Sequence, residues 1–195
     1  MTASCPSGRS DDRDAIRITH VLMLMGTPMP SDIGTADSEL TIRLADLTDP
    51  GDQQAVVELT NHYAQQETGQ GRPLDDQVRQ RLIPALREHG GAVVLLGWYH
   101  GRAVAIATCV LGFSTFRARP LLGIHDLAVH ASVRRRGFGE AMLRAVIDHA
   151  DRLGCCGVTL EVRGDNPAKR LYERVGFSFT EGPHGAPMYF GKLVL

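Results

Sequence analysis

His100-Gly101 separates two apolar, β-rich runs, Ala92 to Tyr99 and Ala103 to Leu111. So short a connection folds the two runs into an antiparallel hairpin. After a loop over Phe113 to Pro120, a third run spans Leu121 to Val129. The next stretch, Val133 to Ala150, opens with three arginines, passes two glycines and becomes an amphipathic helix. Met142, Leu143, Val146, Ile147, Ala150 and Leu153 recur at helical spacing, with Glu140, Arg144, Asp148 and Asp151 opposite them. Gly154 closes this helix. Upstream, Leu40 to Ala45 alternates as a strand. In the turn Asp49-Pro50-Gly51-Asp52, Asp52 is the expected cap of a helix that runs to about Gln66. Gly69 to Pro73 is a loop, and Asp75 to His89 a second helix that Pro84 should kink or break before Gly90-Gly91 ends it. Downstream come a strand from Gly157 to Arg163, a short helix from Asn166 to Val175, and strands from Phe177 to Thr180 and Met188 to Leu193. The order β-α-α-β-β-β-α-β-α-β-β contains no repeat and no second domain.

At 195 residues the chain suits one domain able to bury its own core. With 43% apolar and 22% charged residues it has the make-up of a soluble globular protein. A net charge of −1 excludes a general electrostatic attraction to nucleic acid, so the arginine cluster points to a local anionic ligand. Cys5, Cys109 and the adjacent Cys155-Cys156 match neither zinc spacing nor a disulfide framework. Reduced, space-filling cysteines favour the cytoplasm, and no metal is expected. Residues 1–38 mix Ser, Asp, Arg, Gly and Pro around one apolar run, Val21 to Met25, which is too short to span a membrane. Asp11, Asp12 and Asp14 spoil a signal peptide. The expectation is a disordered extension over 1–38 and one folded domain over 39–195.

The helix that begins near Gly137-Phe138-Gly139 leaves several backbone N–H groups unpaired and carries partial positive charge. Glycines let a ligand approach the backbone, and Arg134, Arg135 and Arg136 add formal charge. These parts suit a pyrophosphate. No Gly-Lys-Ser/Thr run exists for a P-loop. A dinucleotide fingerprint fails as well, because Met142 stands where its third glycine belongs and the motif follows antiparallel strands.

Arg134-Arg135-Arg136-Gly137-Phe138-Gly139 resembles the Gln/Arg-x-x-Gly-x-Gly/Ala signature of the GNAT superfamily of acetyl-CoA-dependent N-acetyltransferases. Ile124-His125-Asp126-Leu127-Ala128-Val129 is similar to that family's fourth strand. Asp165 to Phe177 resembles its Asn-x-x-Ala-x-x-x-Tyr-x-x-x-Gly-Phe segment. Three motifs stand in order, and the resemblance covers roughly residues 40–195. The resemblance implies an α/β (α+β) GNAT fold: a mixed, mostly antiparallel sheet of about six or seven strands flanked by about four helices. One departure concerns the last motif, where Asp165 takes the family's Asn position and Asn166 stands one place late. Asn166 is a good N-cap before Pro167, and it is the favoured cofactor contact with Ala168.

Acetyl transfer to an amine needs a neutral amine, a stabilised oxyanion and a proton for the leaving thiolate. By resemblance, the backbone of Leu127, Ala128 and Val129 pairs with the pantetheine arm of acetyl-CoA. The backbone from Arg135 to Glu140 holds the pyrophosphate, with Arg134 also among the cofactor contacts, and Tyr172 protonates the thiolate. His125 stands where the family often carries Glu and is the expected base, directly or through water. Asp126 is the second choice, on the opposite face of an ideal strand. The strand also resembles that of diamine acetyltransferases, which carry an acidic residue at the place of His125, so polyamine specificity is not inferred. Asn61 to Arg72 and Phe113 to Arg119 are expected to wall the acceptor pocket, with Arg117 and Arg119 candidate carboxylate binders. The expected partner is a small-molecule amine, with neither nucleic acid nor membrane, and the edges of the last strands leave room for a homodimer. Two alternatives are an acetyltransferase for protein N-termini or lysines and a non-catalytic acetyl-CoA-binding module.

Overall fold

The computed structural model describes residues 40–181 and 188–194, and the expected N-terminal extension lies outside them. Within them the chain forms β1 (Leu40–Leu44), α1 (Pro50–Ala64), α2 (Asp76–Glu88), β2 (Ala92–Tyr99), β3 (Arg102–Ser114) and β4 (Arg119–Val129). A short 3-10 turn (Ala131–Val133) leads into α3 (Phe138–Arg152), β5 (Gly157–Arg163), α4 (Lys169–Val175), β6 (Ser178–Glu181) and β7 (Met188–Val194). The described strands make one seven-stranded sheet in the order β1-β2-β3-β4-β5-β7-β6. Every pairing is antiparallel except that of β4 with β5, which α3 connects.

Helices cover both faces, so the central strands are apolar along their whole length rather than alternating. Val93 and Leu95 of β2 pack with Met142, Leu143 and Val146 of α3, while Val94 and Leu96 between them pack with Val56 and Leu59 of α1 and Ile83 of α2. The hairpin turn takes φ of +49° at His100 and +72° at Gly101. Two successive left-handed residues match the right-handed twist of the strands.

Several local expectations give way to longer-range forces. Asp49, not Asp52, caps α1, and its side chain accepts from the Asp52 N–H at 2.8 Å. Asp52 is buried instead, taking two hydrogen bonds from the Arg43 guanidinium of β1 (2.5 and 2.7 Å) and one from the Asp46 N–H (2.8 Å). Burial opposes this charge, yet these bonds hold the Asp52 carboxyl below its ordinary range. Pro84 does not break α2, which runs on to Glu88, because the proline removes only its own bond to the Gln80 carbonyl. The expected loop from Phe113 to Pro120 shrinks to a tight turn, with β3 and β4 paired out to Ser114 and Arg119. The last helix starts at Lys169 rather than Asn166; the Asn166 side chain caps a turn by accepting from the Ala168 N–H at 2.9 Å.

Candidate active site

Strands β4 and β5 are paired only from Leu122–Val158 to Ile124–Leu160. Beyond Ile124, β4 continues to Val129 with no partner on that side, while β5 continues to Arg163 paired with β7 alone. The strands part here, and a cleft of about 440 Å³ occupies the gap. A β-bulge marks the place where it opens: Cys109 of β3 faces Ile124 and Thr108 faces Asp126, so His125 is the extra residue. The bulge reverses the facing of the strand. Leu122 and Ile124 belong to the core under α3, as Leu127 and Val129 do beyond the bulge, while Ala128 joins the core under α1.

Most residues singled out from the sequence line this one cleft. His125, Leu127, Ala128 and Val129 come from β4, and Arg134, Arg135, Gly137, Phe138, Gly139 and Glu140 from the α3 start. Asn166, Ala168 and Tyr172 come from the turn before α4 and from α4 itself. Arg135 (φ +62°) and Gly137 (φ +80°) both adopt left-handed conformations. They bend the chain so that the first N–H groups of α3 face outward without intrahelical partners, a concavity suited to an anion. Gly139 sits so near α4 that an added Cβ would lie 3.3 Å from Leu171 Cδ2. Glu140 is no obstacle to an anion, since its carboxylate is drawn to Arg144 (2.8 Å) and to Arg174 (3.2 Å), both of which hold it below the ordinary carboxylate range.

Three expectations are corrected, those for Arg136, Asp126 and the Phe113 to Arg119 segment. Arg136 does not line the cleft: its guanidinium donates to the Tyr99 hydroxyl at 3.0 Å and lies over that ring at 5.6 Å. Asp126 does not line it either; it is half-buried and interacts electrostatically with Cys109, Tyr63 and His125, and burial pushes its carboxyl up while His125 opposes this. The bulge also removes the ideal alternation that would place Asp126 opposite His125. Asp165 is exposed and held by Arg163 through two hydrogen bonds (3.0 and 2.6 Å), which leaves Asn166 as the polar side chain at the cleft. Arg119 lies at the closed end of β4, where it donates to the Gly154 carbonyl at 2.9 Å, so the Phe113 to Arg119 segment walls no part of the cleft.

The opposite wall comes from the α1–α2 connection, through Tyr63, Gln66 and Thr68, as expected for Asn61 to Arg72. The Tyr63 hydroxyl donates to the Thr68 carbonyl at 3.3 Å. Glu161 of β5, which the sequence reading missed, also lines the cleft. Its signal is present in the strand pattern: Leu160 and Val162 are buried under α3, so Glu161 between them lies on the other face. A larger groove of about 970 Å³ lies between α1 and α2, lined by Gln, Glu and Arg side chains together with Val57, Ile83 and two prolines, and it gathers none of these groups.

The profile of the acetyltransferase (GNAT) family matches residues 55–177, which span the cleft's walls. The chain belongs to the GNAT acetyltransferase family. Two curated relatives are mycothiol acetyltransferases. That of Thermobispora bispora is 36% identical over 144 residues, 72% of this chain and 42% of the relative. That of Saccharomonospora viridis is 46% identical over 56 residues, 28% of this chain and 17% of the relative. The chain thus spans less than half the length of the curated relatives it matches. Among solved structures, yncA of Salmonella typhimurium with its cofactor acetyl-CoA has a TM-score of 0.61 at 25% identity, covering 80% of this chain and 94% of that one. A GNAT acetyltransferase from Streptococcus pneumoniae shares the fold at a TM-score of 0.63, with 18% identity, 80% of this chain and 99% of the other.

In this acetyltransferase Tyr172 is buried, and its ring packs 6.0 Å from Phe177. Its hydroxyl has no hydrogen-bond partner among the described residues and is pushed up to about 12, mostly by burial and further by Tyr63. His125 is exposed at the bulge. Of the described helices none is long and apolar enough to cross a membrane.

Proposed function

We propose that the enzyme transfers the acetyl group of acetyl-CoA to a primary amine of a small-molecule acceptor, by direct attack with both substrates bound. One observation carries this reading: a single cleft joins the free edge of β4, the glycine-rich start of α3, the Tyr172 hydroxyl and the His125 imidazole. The chemistry of the cleft suits acetyl-CoA. The α3 start and Arg134 and Arg135 would hold its pyrophosphate, and the unpaired edge at Leu127 and Val129 would bond its amide-bearing arm as an added strand. When bound, acetyl-CoA supplies an activated thioester.

The protein's own residues manage the protons. His125 takes a proton from the acceptor ammonium, and the Glu161 carboxylate lies across the gap within the same cleft. Tyr172 gives its proton to the thiolate that leaves. A hydroxyl pushed up to about 12 would be a poor acid toward a thiolate in water. Burial raises the basicity of a thiolate too, so one released in a dry cleft is a better proton acceptor than the same thiolate in water.

The two relatives named mycothiol acetyltransferases support a small-molecule acceptor. The test is release of thiol from acetyl-CoA with a panel of small primary amines, set beside peptides with free N-termini or lysines. Turnover with small amines and none with peptides is expected. Turnover with peptides alone would overturn the acceptor class. Binding of acetyl-CoA without turnover of anything would make the protein a non-catalytic module.

A further inference from the structure

Gln66, just past the end of α1, uses both ends of its side-chain amide. Nε2 donates to the His62 carbonyl at 3.5 Å, and Oε1 accepts from Arg134 Nη2 at 2.5 Å. Arginine only donates, so the amide oxygen must face it. The same guanidinium donates through Nε to the Val129 carbonyl at 3.3 Å. One turn earlier on α1, the His62 ring stacks on His130, with centroids 4.3 Å apart and planes at 26°. His130 is itself fixed by Ser132, whose Oγ lies 2.8 Å from Nδ1. The segment that leads into the arginine-glycine loop is therefore fastened to the end of α1 at two points.

A neutral amide oxygen holds a guanidinium without cancelling its charge. A carboxylate in the same place would neutralise it. A free arginine side chain would lose rotamer entropy on meeting a phosphate, whereas one already held loses it during folding. We propose that Gln66 is a positioning residue for the cofactor. It keeps Arg134, with its charge intact, aimed at the pyrophosphate of acetyl-CoA, so that one contact sets both the acceptor wall and the arginine-glycine loop. This rests on the assignment of the cleft's α3 end to the pyrophosphate.

Coenzyme A, titrated calorimetrically, is the probe. Gln66→Ala should weaken binding about three- to tenfold, the cost of ordering on the ligand an arginine side chain no longer held in place. Gln66→Glu should weaken it more, by neutralising Arg134. Arg134→Met should weaken it about tenfold or more, and adding Gln66→Ala to Arg134→Met should cost nothing further, since the two side chains act as one unit. Melting curves confirm that each variant is folded. A merely structural Gln66 would weaken binding equally in both backgrounds, and that result would overturn the proposal. So would a Gln66→Glu variant that binds as tightly as the wild type. If the wild type itself fails to bind coenzyme A, the assignment of the cleft falls together with this inference, before any variant is compared.

Discussion

The two ends of β4 have the same neighbours and opposite outcomes. At the Arg119 end the strand is closed: Leu122 to Ile124 pair with β5, the Cys156 N–H reaches the Pro120 carbonyl at 2.8 Å, and Arg119 covers the carbonyl at the end of α3. At the Val129 end the ladder stops after the bulge at His125, and backbone, glycine and tyrosine come together in the gap. Each end has its arginine, but Arg119 at the closed end is spent on the carbonyls of Gly154 and Cys155, whereas Arg134 and Arg135 line a cleft. The cleft comes from interrupting a sheet. The closed end supplies the rigidity that keeps the interruption in place.

The sharpest way to break this division is Tyr172→Phe at the open end. It should lower turnover about 10²–10³-fold by removing a proton donor, with the melting temperature nearly unchanged and coenzyme A bound as before. Unchanged turnover would show that the thiolate takes its proton elsewhere. At the closed end, Leu122→Ala should do the reverse. Leu122 is fully buried, and its truncation should cost about 3 kcal/mol and lower the melting temperature by roughly 6–12 °C, while kcat measured below the transition stays within a few-fold. A collapse of kcat in a folded Leu122→Ala protein would mean that the two ends are not separable.

The smallest effect sharpens the boundary itself. The Asp126 carboxyl is raised by burial, so the folded state favours its neutral form. Its contribution to stability is full below the unfolded value of about 4 and is lost as pH rises through the folded value. Asp126→Asn should therefore melt higher than the wild type at pH 7, and the difference should close as the pH is lowered toward 4. Parallel melting curves at all pH values would show that the carboxylate is ionised and well paired in the fold.

What the sequence makes legible follows the same division. The hairpin at His100-Gly101 and the start of α3 at Gly137 depend on backbone conformation, which nearby residues encode directly. The long-range features were not legible. Asp52 reads locally as a cap, yet Arg43, nine positions earlier on β1, draws it into the core. Nothing in Ile124-His125-Asp126 announces a bulge, because the extra residue appears only when β3 is laid beside it. Arg119 reads as a ligand binder until Gly154, 35 positions away, proves to be its partner. Gln66 meets Arg134 across 68 positions, a distance at which spacing carries no signal. The α1–α2 wall of the cleft is made of such contacts, which is why the family was readable and the acceptor was not.

Gly69 fixes how that wall can change. Its N–H donates to the Gln66 carbonyl at 2.9 Å, and an added Cβ would collide with the Tyr63 carbonyl and crowd Ala64. The turn from Tyr63 to Gly71 is folded back on the end of α1 through several backbone bonds and has no slack. For anyone who wishes to redirect this enzyme, loop grafting at that point is the wrong tool. New acceptors will have to be won by exchanging side chains on an unaltered frame, starting with Thr68, whose carbonyl alone is engaged.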